Sequence, residues 1–522
     1  MRFLIFHGYL LRGTGSNIYN ASVCRALTRL GHEVHILCQE ERAAELDFVD
    51  AVGRFKGSDL RMTSFREPVR CSVYVPDIGG LLPVYVADRY EGLQAVPLPE
   101  LDDRRLRRYV DANVAAVEEV VRRAQPEAAL ANHLVMGPAI LARALAGRVP
   151  YAVKVHGSAL EYVVRPYPER FVPYAREGVG AARGVLVGSR HTAQSLWEVV
   201  ADRSLPARTR LGPPGVDVEE FRPRDPGEAA ARLRALAERL TDQPAGWGGE
   251  AGAAAALRSL DPALDRLVGY VGKLIVSKGV DLLLAAWPLV VAAVPDAHLC
   301  VVGFGTYRDG LRALVAALAA GDLDALADIA ARGRELEGGP SGALRFLGAF
   351  LDSLSGARRR RYLDAAPAAA SRVHFTGALE HRDLPWLLPT FEAQVVPSTF
   401  PEAFGMVAAE AAACGALPIS AAHSGLAEVS AALAPELPPS LRPFLSFELG
   451  DGAVDAIAER IVGWLCLPAS ERRRARAALA AAAARRYAWE RVAEGVLAAA
   501  QGRLDELPAP TAGGAPAAHS SG

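Results

Sequence analysis

Short apolar runs alternate with helical stretches along this chain, and that alternation limits its fold more than any other feature. In the first half the strand candidates are Arg2–His7, Glu33–Cys38, Val73–Pro76, Ala128–Asn132, Ala152–His156 and Gly184–Val187. Helices such as Ser16–Leu30 and Asp102–Ala124 lie between them. Apolar strands separated by helices can bury both faces only as a parallel sheet covered on each side. In Asp102–Ala124 one stripe is apolar: Leu106, Val110, Val114, Val117 and Val121. Arg104, Arg105, Arg107 and Arg108 fall mainly off that stripe. They read as a solvated face, or alternatively as a basic surface for an anionic or membrane-bound acceptor. The pattern restarts at Leu267–Val271 and continues through Leu299–Gly305, Val373–Leu379, Ala393–Pro397 and Leu417–Ser420. A chain of 522 residues is too long for one core, so two α/β domains are expected.

Composition narrows the function classes. A net charge of -1 gives no reason to expect nucleic acid as a partner. The six cysteines, Cys24, Cys38, Cys71, Cys300, Cys414 and Cys466, are scattered and form no C-x-x-C pair. They read as buried thiols in a reducing compartment, which implies a cytoplasmic location. The start, MRFLIFHGYL, reads as a strand running into a loop and lacks the features of a signal peptide. The most apolar region, Leu282 to Val302, is broken by Pro288, Pro295 and Asp296. It predicts a buried helix plus a strand, and no transmembrane segment.

The stretch most suggestive of chemistry is PSTFPEAFGMVAAEAAACG, Pro397 to Gly415. A turn-rich segment leads into an Ala-rich helix. Glu402 is predicted on the loop that opens the helix, and Glu410 inside it, on an exposed or site-facing side. Free N–H groups and partial positive charge at a helix N-terminus suit a phosphate or a sugar hydroxyl. Two carboxylates there can hold hydroxyls and stabilise positive charge at a sugar carbon. A capping acid followed by a surface acid would give the same spacing. Elsewhere, Gly13-Thr14-Gly15 lies between a strand and a helix, where glycine lets backbone approach a ligand closely. The full G-x-G-x-x-G is absent, since position 18 is Ile18. Polar residues end two strands: Asn132-His133, and Lys154-Val155-His156-Gly157-Ser158.

PEAFGMVAAEAAACGALPIS resembles the E-x7-E signature of retaining glycosyltransferases of the GT-B fold, in particular glycosyltransferase family 4. His156-Gly157-Ser158 with Glu161 resembles the family's H-G-[ST]-x-x-E segment, and Pro213–Asp217 with Phe221-Arg222-Pro223 its passage between domains. Gly272-Lys273-Leu274 and Lys278-Gly279-Val280-Asp281 are similar to its G-R-L…K-G-x-D, with Lys273 in place of Arg. His423–Glu428 resembles its G-G-x-x-E turn, with Ser424 replacing the first Gly. The resemblance covers roughly 1–223, 265–306 and 372–500.

That resemblance implies two Rossmann-like domains facing a cleft: 1–210 on the acceptor side and 211–485 binding a nucleotide sugar. It also implies insertions near 224–265 and 307–371, a terminal helix at 486–504 packing back on the first domain, and a disordered tail at 505–522. The activity would be retaining hexosyl transfer from a UDP- or GDP-linked sugar, with no metal and no cofactor beyond that co-substrate. His156 and Glu402 would be catalytic. Gly15, Lys273, Lys278, Leu379, Phe404, Gly405, Met406, Val407 and Glu410 would bind the donor. Tyr9, Arg12 and His133 would meet the acceptor, a small molecule, polysaccharide or lipid, with peripheral membrane contact open. A nucleotide-sugar-binding pseudoenzyme with a regulatory or scaffolding role is the alternative. An epimerase or phosphorylase could share the architecture, and an NAD-dependent oxidoreductase would leave the E-x7-E segment unexplained.

Overall fold

The computed structural model describes residues 1–13, 15–85, 92–242, 249–250 and 252–510. The chain forms two units: Met1–Gly215 together with the stretch from Trp489, and Val216–Ala488.

In the first unit the strands are β1 (Arg2–Phe6), β2 (Glu33–Leu37), β3 (Ala51–Lys56), β4 (Asp59–Ser64), β5 (Cys71–Val75), β6 (Leu81–Val84), β7 (Gln94–Pro97), β8 (Ala128–Asn132), β9 (Tyr151–Val155), β10 (Gly184–Val187) and β11 (Thr209–Leu211). Nine of them form one sheet in the order β11-β10-β9-β8-β1-β2-β5-β3-β4. Every pairing in it is parallel except β3 with β4. β6 and β7 pair separately. The β3–β4 hairpin, the β6–β7 pair and β11 are five strands that sequence patterning does not predict. β4, DLRMTS, is almost wholly exposed and so shows no apolar alternation. Strands β8 and β9 are buried at every position and β1 at all but Arg2, and apart from Arg2, Asn132 and Lys154 their residues are apolar. Helix Asp103–Ala124 starts one residue later than predicted. Asp102 is its cap, and its carboxylate accepts from the Arg105 N–H at 2.7 Å. Leu106, Val110 and Val117 are buried and Val114 and Val121 half-buried, while Arg104, Arg107 and Arg108 are exposed. The helix Trp489–Gln501 belongs to this unit. Trp489, Ala493 and Val496 pack with Phe3, Ile5, Val23 and Leu27. After it, Pro508 accepts a hydrogen bond from the Leu211 N–H at 2.8 Å. Of the tail expected at 505–522, residues 511–522 lie outside the described residues.

The second unit contains β12 (Arg266–Val271), β13 (Ala297–Val302), β14 (Val373–Gly377), β15 (Ala393–Val396), β16 (Leu417–Ala421) and β17 (Ser446–Phe447). They form one all-parallel sheet in the order β14-β13-β12-β15-β16-β17. In each sheet the chain starts at an inner strand and later returns to its other side: β1 against β8 in the first, β12 against β15 in the second. Loops leaving adjacent strands in opposite directions open a crevice at their carboxyl ends.

Both insertions are built into this unit. The helix read at Ala230–Leu240 runs Pro226–Asp242. Residues 243–248 and 251, within the same insertion, lie outside the described residues. Beyond them Ser259 is tied to β14 through His374 Nδ1 (2.9 Å), and His374 Nε2 meets His298 Nδ1 (2.9 Å). The second insertion is a layer of helices, Arg308–Ala320, Leu323–Arg332, Arg345–Ser353 and Gly356–Ala370. It buries Tyr307, Leu311, Leu347, Phe350 and Tyr362 in the main core of the unit. The Tyr362 hydroxyl donates to the Ala285 carbonyl at 2.9 Å. Of the six cysteines five are buried, as expected of buried thiols, but Cys466 is exposed just past the end of helix Ala453–Leu465 and departs from that reading.

Asp281 stands in the first turn of helix Val280–Ala293 and is 4% exposed. Burial pushes its carboxyl up to about 7. A raised acid stabilises the fold fully below its ordinary value of 3.8 and loses that contribution as pH rises toward about 7. Asp281→Asn is therefore expected to flatten the fall in melting temperature between about pH 4 and 7. An unchanged slope in pH-resolved thermal melts would contradict this.

Candidate functional site

In the second unit the loops after β12 and β15 meet. The Thr399 N–H donates to the Ser277 carbonyl at 2.9 Å. Gly279 has φ +65, and a Cβ there would stand 2.1 Å from the Pro397 carbonyl oxygen, so only glycine lets the loops touch. That contact brings the Lys278 ammonium onto the Glu402 carboxylate. Lys273 and Lys278 are both half-buried on this loop.

Glu402 is fixed by a closed ring of hydrogen bonds. Its Oε1 accepts from the Ser398 hydroxyl at 2.6 Å. Its backbone N–H donates to Ser424 Oγ at 2.9 Å. Ser424 Oγ lies 3.0 Å from His423 Nδ1, and His423 Nε2 lies 2.7 Å from the Ser398 carbonyl. The carbonyl can only accept, so Nε2 carries the proton and Nδ1 accepts from Ser424. Burial raises the Glu402 carboxyl, but Lys278 and the Ser398 hydroxyl outweigh it and hold it below the usual range. Ser424, where the resemblance leads one to expect glycine, keeps a glycine-like φ of +49 and uses its side chain to hold the Glu402 amide.

Gly405, at φ +124, turns the chain into helix Met406–Ala413. The first-turn N–H groups of Met406 and Val407 have no acceptor within the helix. Phe404 is buried with its ring edge-on to Tyr487 at 5.5 Å. The Val407 carbonyl accepts from the Gln394 side chain at 2.9 Å. Glu410 is 3% exposed. This corrects the exposed face among those expected for it, because the Ala-rich helix is buried on nearly every side. Its Oε1 lies 2.8 Å from His381 Nε2, and the His381 ring packs on Phe221 at 5.1 Å. Leu379 is half-buried just before it, after β14.

Sequence patterning points to neither His381, Ser398 nor Glu337 as a site residue. Glu337, in the second insertion, accepts the Val276 N–H at 2.8 Å and so holds the Lys278 loop. No spacing rule links positions 61 residues apart. His381, two residues past the predicted Leu379, and Ser398, inside Pro397–Gly415, are the two with a signal in their neighbourhood.

The first unit has its own cluster, at the ends of β1, β8 and β9. His156 Nε2 lies 2.8 Å from Asn132 Oδ1. Asn132 and Asn20 exchange side-chain hydrogen bonds at 2.7 and 3.1 Å. Asn20 also reaches His7 Nδ1 at 3.1 Å, His7 Nε2 reaches Asn17 Oδ1 at 2.9 Å, and Asn17 donates to the Arg12 carbonyl at 2.6 Å. This chain of amides sets the His7 and His156 tautomers, with the proton on Nε2 in each. Burial holds His7 down at about 4 and keeps His156 and His133 well below their ordinary value. Lys154, also buried, donates to the Gly212 carbonyl and lies 5.4 Å over the Tyr19 ring. Burial brings it to about 7. Tyr9 and His133 join the cluster, with rings 5.3 Å apart. Arg12 does not: its guanidinium turns to Glu45 and the Arg42 carbonyl. Gly15 is exposed at the first turn of helix Gly15–Arg29, and its neighbour Thr14 lies outside the described residues. Glu161 is engaged by Arg165 and Ser195.

Two family models match this sequence. Glycosyltransferase Family 4 matches residues 13–220, and Glycosyl transferases group 1 matches residues 349–434. The chain belongs to the GT-B glycosyltransferases of these families. Solved structures share the fold of this glycosyltransferase. Sucrose-phosphate synthase from Thermosynechococcus elongatus is 18% identical, with 97% of this chain and 98% of that one covered and a TM-score of 0.57. The catalytic domain of starch synthase IV from Arabidopsis thaliana, bound to ADP and acarbose, is 14% identical, with 97% and 99% covered and a TM-score of 0.59. HepE of Anabaena, in complex with UDP and glucose, is 15% identical, with 95% and 98% covered and a TM-score of 0.53. No curated protein matches the glycosyltransferase by sequence. Among its described residues no helix is long and apolar enough to cross a membrane.

The ring around Glu402 predicts a graded response at Ser424. Ser424→Ala keeps the left-handed backbone but strands the Glu402 amide, at a cost of about 1–3 kcal/mol. Ser424→Gly loses the same bond but relieves the backbone, and should be less destabilised by about 1 kcal/mol. Urea denaturation measures both, and equal losses would refute the backbone part.

Proposed function

We propose that this glycosyltransferase moves a hexose from a UDP- or GDP-linked sugar to an acceptor hydroxyl with retention at the anomeric carbon. The observation that carries the reading is the Lys278–Glu402 pair, held by the Ser398–His423–Ser424 ring beside the first turn of helix Met406–Ala413. An ammonium, free helix N–H groups and an aligned carboxylate are what a sugar diphosphate needs at one place. Structural neighbours solved with UDP and with ADP lend support to a nucleotide donor.

In this reading Lys273 and Lys278 take the diphosphate, with the Met406 and Val407 amides. Leu379, Phe404 and Gly405 shape the donor pocket, and Gly15 offers the donor a stretch of backbone bare of side chain. Glu410, oriented by His381, takes the ribose hydroxyls. Once the diphosphate engages Lys278, Glu402 is released to bind sugar hydroxyls near the anomeric carbon. The bond between that carbon and the diphosphate oxygen breaks, and its electron pair leaves with the diphosphate. The acceptor oxygen forms the new bond on the same face, and its proton passes to the departing phosphate oxygen. The oxocarbenium-like state between them is stabilised by carboxylate and imidazole dipoles, for which neutral His156 is suited. The charge work is done by lysines and helix dipole, and the roles described use no metal.

The test is a thermal-shift panel with UDP, GDP, ADP, NAD and their sugar conjugates, followed by transfer assays. Ligand binding to the folded state raises the melting temperature by mass action. The expected result is a shift with one nucleoside diphosphate and its sugar, absent in Lys278→Ala. Glu402→Gln and Lys278→Ala are expected to abolish transfer while circular dichroism stays native. Wild-type turnover in either variant, or a shift with NAD alone, would remove this reading.

A further inference from the structure

The turn that carries His381 is short. It is a single 3₁₀ turn, His381–Asp383, between β14 and the helix Leu384–Leu387. Its own backbone bonds run from the Asp383 N–H to the Glu380 carbonyl at 2.8 Å and from the Leu384 N–H to the His381 carbonyl. So brief a piece of 3₁₀ helix has little stiffness of its own. Yet its first residue holds an imidazole nitrogen 2.8 Å from Glu410 Oε1, with the ring resting on buried Phe221.

The first insertion supplies what the turn lacks. Helix Pro226–Asp242 sets Leu233, Leu236 and Ala237 in the core of the unit. Arg232 and Arg239 stand on one flank of it, and both guanidinium groups lie over the Trp386 ring, at 5.5 and 5.2 Å. Arg239 Nη2 also donates to Asp383 Oδ1 at 2.6 Å. The Asp383 side chain is 6% exposed, and Arg239 is its one polar partner among the described residues. A carboxylate just before a helix ordinarily caps that helix; this one does not cap Leu384–Leu387 and is turned to the insertion instead.

A pair this sheltered adds little stability, because desolvation offsets most of the attraction. Three apolar residues already seat the helix without it. What the pair adds is direction. The Asp383 end of the turn is tied to Arg239, the Trp386 ring beyond it is covered by two guanidinium groups, and the His381 end is left to face Glu410. Glu410 Oε2 takes no hydrogen bond from a described residue, and the His381 side chain is 31% exposed, so the pair is open to solvent on the histidine's side. Two neighbouring hydroxyls can donate to the two oxygens of one carboxylate only when its plane is fixed.

We propose, resting on the reading of Glu410 as the ribose carboxylate, that Arg239 is a positioning residue for the donor. Through Asp383 it fixes the His381 turn, and through His381 the Glu410 carboxylate. The first insertion thereby sets how sharply the site distinguishes a ribose with both hydroxyls from one without them.

The experiment uses the full chain and whichever of UDP, GDP and ADP gives the thermal shift, together with its 2′,3′-dideoxy counterpart. Calorimetry gives the two dissociation constants. The wild type should bind the ribose form about tenfold or more tighter, and Glu410→Ala should erase that preference. Arg239→Met should weaken the ribose form about fivefold or more and leave the dideoxy form within about twofold. Asp383→Asn, which keeps the shape of the side chain, should do the same and carries the test if Arg239→Met does not fold. Arg239→Lys, which keeps the cation, should recover part of the preference. A wild-type preference in both Arg239→Met and Asp383→Asn, or an equal loss on the two ligands, would overturn the proposal. No preference in the wild type, or one that survives Glu410→Ala, would instead overturn the reading of Glu410. Absence of a shift with any nucleotide would remove the transferase reading itself.

Discussion

The ammonium–carboxylate contact between Lys278 and Glu402 is the interaction on which the second unit's site depends. It is possible only because β12 and β15 are neighbours and their loops leave from the same sheet end. A glycine at 279 permits the loops to touch, and four residues then close a ring that leaves the Glu402 carboxylate few ways to turn. Fixed dipoles and charges of this kind need no rearrangement when charge develops on a bound ligand, which is where electrostatic catalysis gains most. The ring also explains a departure from the usual pattern. Ser424 accepts a backbone conformation suited to glycine, and in return its hydroxyl joins the turn to the residue the turn covers.

The first unit handles its polar residues in another way. It has three buried imidazoles and a buried lysine at the ends of adjacent strands, and burial drives all four toward the uncharged form. A line of asparagines carries hydrogen bonds from His156 to the glycine-bearing loop, fixing which nitrogen holds each proton. One unit thus gathers paired charge at its strand ends, and the other neutral dipoles and buried rings.

Much of the fold is legible in the sequence because buried parallel strands are apolar on both faces, and such runs stand out against helical periodicity. The apolar runs match β8 and β10 to the residue, and most other strands to within a few. Elements without that signal escape: the β3–β4 hairpin, the short β6–β7 pair, and the three- and two-residue strands β11 and β17. The same distinction runs through the site. Glu402, Lys278 and His156 lie in motifs whose residues are close in sequence, so their presence can be read. Glu337 acts through a partner that only folding supplies, and Ser398 and His423 act by closing a ring rather than by spacing. The burial of Glu410 is not legible because alanine has no strong amphipathic pattern, and a helix of alanines can be enclosed all round.

The bond from Glu337 to the Val276 amide gives the second insertion a meaning beyond its bulk. That helical layer is anchored in the core by Tyr307, Phe350 and Tyr362, so its position is set by packing far from the lysines. One carboxylate transmits that position to the loop. A shorter version of the chain, trimmed of the layer to a minimal two-sheet scaffold, would keep every residue proposed for the sugar diphosphate and still lose the peg against which their loop is registered. Length added or removed between β13 and β14 is therefore a route by which such a scaffold can retune its grip without altering a single contact residue.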